Sequence, residues 1–172
     1  MRILIVGLGV QGVKRKRILK KHKVLTVDIK NKSADYKNIK DVPIYSYDLV
    51  FICTPDGEKF SIIKYFIKNR KHILVEKPLW FQNLKQFYLL QKFANKNKVL
   101  CYTAYNHRFE PHFVKMQQVI KSGVLGKVYS CRIFYGNGTA RLVKNSIWRD
   151  SGSGVLQDLA PHLMDIVRIW FG

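Results

Sequence analysis

The chain has 172 residues, of which 47% are hydrophobic and 13% aromatic, and it carries a formal charge of +20. That is enough for one complete domain and part of another, and the apolar content excludes a disordered or fibrous protein. The charge admits nucleic acid, an anionic membrane surface or phosphorylated ligands as partners. Its excess is mostly lysine scattered among many Ile, Asn, Phe and Tyr, the bias of AT-rich coding DNA, and scattered lysines are ordinarily solvated.

Residues 2–6 (Arg-Ile-Leu-Ile-Val) form an apolar run ending at glycines, the pattern of a buried parallel strand. From Val10 to Lys21 the positions of Val13, Ile18 and Leu19 are helical and those between are basic. Val24–Asp28 reads as a second strand. Residues 29–48 are polar and contain Pro43, with room for a short strand near 42–45 but little for a helix. Leu49–Cys53 is a strand stopped by Thr54-Pro55-Asp56-Gly57, and helical spacing follows over Phe60–Lys68.

His72–Glu76 is the next strand, Leu84–Asn95 the next helix, and Val99–Ala104 is again strand-like. The alternation predicts an α/β fold with a doubly wound parallel sheet. Pro111–Lys121 reads as a helix ended by Ser122-Gly123. Lys127–Tyr135 reads as a long strand of mixed pattern, and Gly152–Trp170 begins with glycine and becomes helical. The change of style places a domain boundary near residue 105, giving a dinucleotide-binding domain at 1–104 and an incomplete α+β domain with an open sheet at 105–172.

Cys53, Cys101 and Cys131 are odd in number, far apart and without a Cys-x-x-Cys pair, which suits a reduced, cytoplasmic protein. No apolar run approaches the ~20 residues that span a bilayer, and the start lacks a small-residue cleavage pattern.

Three segments carry chemistry. Gly7-Leu8-Gly9-Val10-Gln11-Gly12 fits G-x-G-x-x-G between a strand and a helix, with the acidic Asp28 about 20 residues on. In such a turn Gly7 permits the tight bend, Gly9 the approach of a pyrophosphate and Gly12 close helix–strand packing, while the helix N-terminus favours the anion. Asp28 can accept from both ribose hydroxyls and repels a 2′-phosphate, favouring NAD, a preference that Lys30 and Lys32 weaken. Val75-Glu76-Lys77-Pro78 closes a strand at the end where α/β sheets bind ligands, although as an isolated tripeptide it also suits a surface turn. Asp158 and His162 stand four apart and share a helix face, so the carboxylate can orient the imidazole for proton transfer. By spacing alone, a capping Asp and a surface His are the alternative, and Pro161 sits comfortably only in a first turn or at a kink.

In order, these segments resemble the Gfo/Idh/MocA family of NAD(P)-dependent oxidoreductases over essentially the whole chain. Cys53-Thr54-Pro55-Asp56 is similar to the family's A-T-P-N turn, and residues 71–79 (Lys-His-Ile-Leu-Val-Glu-Lys-Pro-Leu) to its G-K-H-V-L-V-E-K-P-L segment. Tyr105-Asn106-His107-Arg108-Phe109 resembles its N-x-R-F segment, Trp148-Arg149-Asp150 its W-R, and residues 152–162 its G-G-G-x-L-x-D-x-G-x-H helix.

The resemblance implies that Lys77, Asp158 and His162 converge as the catalytic residues. It assigns cofactor contacts to Gly7, Gly9, Val10, Gln11, Gly12 and Asp28, and further ones to Thr54, Pro55, Glu76, Lys77 and Asn106. Substrate contacts fall to Arg108, Trp148 and Arg149 beside the catalytic three. The cofactor implied is NAD, with NADP the alternative. No metal is implied. The partner is a small sugar substrate, with neither nucleic acid nor membrane, and the full-length form is expected to be a homo-oligomer.

Lys59 stands where the family often has His, and the stretch between Asp28 and Leu49 is short for the family. Family members continue past the last helix into a broad antiparallel sheet, so the chain is expected to be a fragment that does not turn over substrate alone. Residues 135–141 and 146–150, including Arg141 and Arg149, resemble members that modify nucleotide-activated sugars for surface polysaccharides; inositol or a free sugar is the alternative substrate. Two other classes of function compete. A nucleic-acid-binding module would use Lys14-Arg15-Lys16-Arg17, but no aromatic stacking platform accompanies this run. A noncatalytic NAD sensor is disfavoured by the joint presence of Lys77, Asp158 and His162.

Overall fold

The apolar runs pair into one parallel sheet. Its strands are β1 (Arg2–Val6), β2 (Lys23–Val27), β3 (Leu49–Ile52), β4 (His72–Val75) and β5 (Cys101–Thr103), in the order β2-β1-β3-β4-β5. The structure is a computed structural model and describes residues 1–79, 81–136 and 155–172. It divides into two compact units, Met1–Ala104 and Tyr105–Gly172.

In the first unit α2 (Asp56–Lys68) and α3 (Leu84–Asn97) cover one face of the sheet. They do so because Ile63, Phe66 and Ile67 on α2, and Leu90 and Ala94 on α3, recur at helical spacing. These side chains close over Leu4, Val6, Val50, Ile52, Ile73 and Val75. Asn83 caps α3, its side chain accepting from the Gln86 amide at 3.1 Å.

The opposite face is thinner. Ile3, Ile5, Leu8 and Phe51 form its buried cluster, and α1 (Val10–Ile18) contributes one buried residue to the core, Gly12. Val13 and Ile18, whose spacing announced the helix, are exposed. The helix also ends short of the expected Lys21: Leu19 turns down onto the Ile3–Phe51 cluster, and the chain must re-enter the sheet at Lys23.

Register aligns the sheet for function. Val27, Val6, Ile52, Val75 and Thr103 are successive neighbours across the five strands. All five therefore end on one line, and Asp28, Gly7, Cys53, Glu76 and Ala104 leave the sheet together at its carboxyl edge, where α/β sheets bind ligands.

The stretch between β2 and β3 corrects the sequence reading. No strand forms at 42–45; Ile39–Asp41 and Ile44–Ser46 are single 3₁₀ turns. Pro43, which lacks an N–H, precedes the second turn. This segment folds back on β2 instead. Asp35 Oδ2 accepts from the Thr26 amide at 2.8 Å and its hydroxyl at 2.6 Å. The Tyr36 amide donates to Thr26 O at 3.0 Å, and the Asp28 amide to Tyr36 O at 3.1 Å. This clasp satisfies backbone groups that an edge strand otherwise leaves open.

In the second unit α4 (Pro111–Lys121) and α5 (Val155–Phe171) pack through Phe113 and Trp170, whose rings lie 5.8 Å apart. The Trp170 indole donates to Phe113 O at 3.3 Å. Pro161 lies inside α5, so the carbonyl four residues earlier lacks its helical donor. The expected strand at Lys127–Tyr135 is not formed. An extended segment becomes a strand when a neighbour completes its ladder, and among the described residues none does.

Candidate functional site

The glycine turn has the steric requirements its spacing announced. Gly7 adopts φ +93°, and a Cβ there would meet Cys53 O at 2.8 Å; a Cβ on Gly12 would stand 1.9 Å from Gly7 O. Neither position tolerates a side chain without moving backbone. A Cβ on Gly9 would meet nothing within 4 Å, so that backbone faces open space. No side chain caps the start of α1 and its first turn carries no acid, which leaves its amides available to an anion. Val10 and Gln11 are exposed at this helix start. A cradle with this shape and this positive end fits a dinucleotide pyrophosphate.

Asp28 is tied more closely to the turn than its spacing suggested. Its Oδ2 accepts from the Leu8 amide at 2.6 Å, and its Oδ1 from Lys30 and Asn31 amides at 2.8 and 2.7 Å. Partial burial pushes its carboxyl up, but the Asn31, Leu8 and Lys30 amides and the charge of Lys37 outweigh that and hold it below the usual carboxylate range. Since a carboxylate offers about four lone-pair sites, three of them engaged here, one ribose hydroxyl fits more readily than two.

Thr54 and Pro55 follow β3, and the Thr54 hydroxyl is buried with no hydrogen-bond partner among the described residues, as a hydroxyl awaiting a ligand would be. Glu76 Oε1 accepts from Arg15 Nε at 2.7 Å and is ion-paired with Nη2 at the same distance. Arg15, unpredicted as a site residue, thereby joins the helix of the glycine turn to the end of β4. Burial pushes the neighbouring Cys53 thiol up to about 12, with Glu76 adding to the rise and Arg15 and Lys59 opposing it.

Lys77 follows Glu76, and the Lys77–Pro78 peptide is cis. Beneath it lies a residue that sequence reading treated only as a departure. Lys59 is 1% exposed, and its ammonium donates to Asp56 Oδ1, Glu76 O and Pro78 O, all at 2.7 Å. Burial pulls its pKa down; the hydrogen bond and charge of Asp56 and the charge of Glu76 push it back, and the like charge of Lys77 adds to the fall. A signal was present in the sequence. Residues 59, 63, 66 and 67 share one helical face, so the lysine lay in line with the buried Ile63, Phe66 and Ile67.

In the second unit Asp158 and His162 stand one turn apart on α5, with His162 buried and Asp158 half-buried. The His162 ring meets the rings of His107 at 4.5 Å and Tyr105 at 6.0 Å between centroids, both edge-on. His107 Nδ1 lies 2.6 Å from Glu110 Oε1, which also accepts from Asn106 Nδ2 at 3.0 Å. The assigned cofactor contact Asn106 is therefore bound within its own turn. Arg108, assigned to substrate, grips Asp165 with two parallel bonds: Nε donates to Oδ2 at 2.7 Å and Nη2 to Oδ1. Asp165 was missed, although 158, 162 and 165 fall on one face of α5. Trp148 and Arg149, with Arg141, lie outside the described residues. Among the described residues no cluster of His, Cys, Asp and Glu could hold a metal ion, and no helix is long and apolar enough to cross a membrane.

Residues 9–105 match the family model described as an oxidoreductase family with an NAD-binding Rossmann fold, and residues 113–172 match the Gfo/Idh/MocA C-terminal domain. The chain belongs to the Gfo/Idh/MocA oxidoreductase family. Among its relatives, an uncharacterized oxidoreductase, YrbE, of Bacillus subtilis (strain 168) is 28% identical over 142 residues, covering 81% of this chain and 39% of the relative. The inositol 2-dehydrogenase of Rhizobium meliloti (strain 1021) is 27% identical over 125 residues, covering 73% of this chain and 37% of the relative. This Gfo/Idh/MocA chain thus spans about two fifths of the length of these two curated relatives. The crystal structure of an oxidoreductase from Agrobacterium radiobacter in complex with NAD+, L-tartaric acid and magnesium superimposes with a TM-score of 0.80 at 16% identity, over 99% of this chain and 54% of that one. That likeness establishes the shared fold.

Proposed function

We propose that the protein serves NAD-dependent oxidation of a secondary hydroxyl on a sugar or cyclic polyol. The observation that carries this reading is the carboxyl edge of the sheet, where an uncapped helix start, an open Gly9 backbone, Asp28 and the Glu76–Lys77 turn emerge from one row of aligned strand ends. The family match and the inositol 2-dehydrogenase relative support the substrate class.

Bound NAD supplies the electron-pair acceptor at the nicotinamide. The amides of the glycine turn hold its pyrophosphate, and the remaining acceptor site of Asp28 takes a ribose hydroxyl. With that carboxylate ionised, a 2′-phosphate is repelled, which favours NAD over NADP. Lys77 donates to the substrate oxygen and stabilises its developing negative charge. In the second unit His162 accepts the hydroxyl proton, and Asp158, one helical turn away, orients the imidazole. Arg108 braces α5 through Asp165 with two of its five N–H donors, and the others remain for the substrate contact that the family resemblance implies. A nucleotide-activated sugar is the finer substrate reading, and it rests on residues 135–150, most of which lie outside the described residues.

Fluorescence titration of the full-length protein with NADH, followed by an oxidation screen of myo-inositol, glucose and a nucleotide-activated hexose, tests the proposal. Lys77→Met is expected to lower kcat at least about 100-fold, an electrostatic loss of roughly 3 kcal/mol, with NADH binding intact. Loss of NADH binding in that variant, or a wild-type chain that binds neither dinucleotide, overturns it.

A further inference from the structure

Lys59 puts a charge where packing alone would take a methionine or a leucine. It completes the buried face of α2 with Ile63, Phe66 and Ile67, and a desolvated ammonium destabilises a core unless every donor is bonded. Here each is: an ammonium has three N–H groups and no acceptor, and Lys59 has three acceptors at 2.7 Å. Asp56, one helical turn away, balances the charge. The other two acceptors are main-chain carbonyls, Glu76 O and Pro78 O, which bracket Lys77. An apolar side chain at 59 could fill the same space but could hold neither carbonyl.

Resting on the reading of Lys77 as a catalytic group, we propose that Lys59 is the positioning residue of this site, pinning the peptide on either side of Lys77 and so fixing the direction in which that side chain leaves the end of β4. Arg15 fixes the Glu76 side chain from the other direction. The turn is therefore held by its side chain from α1 and by its backbone from α2.

The test uses the full-length protein with Lys59→Met, which removes all three donors at similar length, and Lys59→Gln, which keeps an N–H donor. Amide hydrogen exchange across residues 74–81 reads position directly. Lys59→Met is expected to speed exchange at the Glu76 amide, which donates to Ile52 O at 2.9 Å, at least about tenfold, with β1 and β3 amides within about twofold, and Lys59→Gln to fall between. NADH affinity should stay within about threefold, while kcat for myo-inositol with NAD falls at least about 30-fold at a similar KM, the cost of a misplaced group. Equal acceleration throughout the sheet makes Lys59 a general stabiliser and overturns the proposal, as does unchanged exchange at Glu76. If Lys59→Met does not fold, Lys59→Gln decides by the same exchange reading. A full-length protein that binds NADH yet oxidises no polyol removes the substrate reading, and the exchange pattern still decides Lys59.

Discussion

The two faces of the sheet in the first unit are built differently. Under α2 and α3 lies a continuous apolar layer from Leu4 to Val99, with Phe66, Ile63 and Ile67 fully buried. Under α1 the cluster is small, and most of that helix is solvated. What attaches α1 is mainly backbone geometry and charge: the Gly7 amide donates to Val27 O at 2.8 Å, the Leu8 amide to Asp28, and Arg15 reaches Glu76. Burial holds the first face together, whereas the second holds a helix N-terminus in place for a ligand.

The largest expected effect tests the first half of that contrast. Phe66→Ala should lower stability by about 3–5 kcal/mol in urea unfolding, as for other fully buried aromatics; a loss under about 1 kcal/mol would show the layer is not the source of stability. Gly12→Ala should destabilise by about 1–3 kcal/mol through overpacking and abolish NADH binding, because its methyl would collide with Gly7 O. Retained binding would mean the turn is not the cradle.

Asp28 gives a smaller, pH-dependent effect. Its folded pKa is lowered, so its contribution is complete above the ordinary aspartate value and lost as pH falls through the folded one. Asp28→Asn should therefore flatten the acid limb of a stability–pH profile measured by thermal unfolding, and an unchanged limb would contradict the assignment. Smallest of all, Val10→Ser on the exposed start of α1 should stay within about 0.5 kcal/mol; a larger loss would mean that α1 is held by packing after all.

The strands were legible because parallel strands buried on both faces are short continuous apolar runs. The segment between β2 and β3 was not, because local side-chain-to-backbone bonds shape it: Asp28 with Lys30 and Asn31, Asn31 with Ser33, Asn38 with Lys40. Such bonds favour turns over ladders and leave no periodicity. In the site, the glycines and Asp28 could be read from spacing. Arg15 could not, because an arginine on a helix is ordinarily solvated; the burial of Lys59 was signalled by the face it shares with Ile63, Phe66 and Ile67, but its partners were not, because only the placement of β4 beside both helices gives those charges something to bind. The Lys127–Tyr135 expectation failed for a related reason: a strand belongs to its neighbours as much as to its own residues.

The Asp35–Tyr36 clasp on β2 also determines how the sheet can be extended. With the outer margin of β2 stitched to its own connecting loop, a further strand cannot dock beside Thr26 without first unpicking bonds already made. Newcomers, whether from this protein or from another copy, are thereby turned away at the β2 margin.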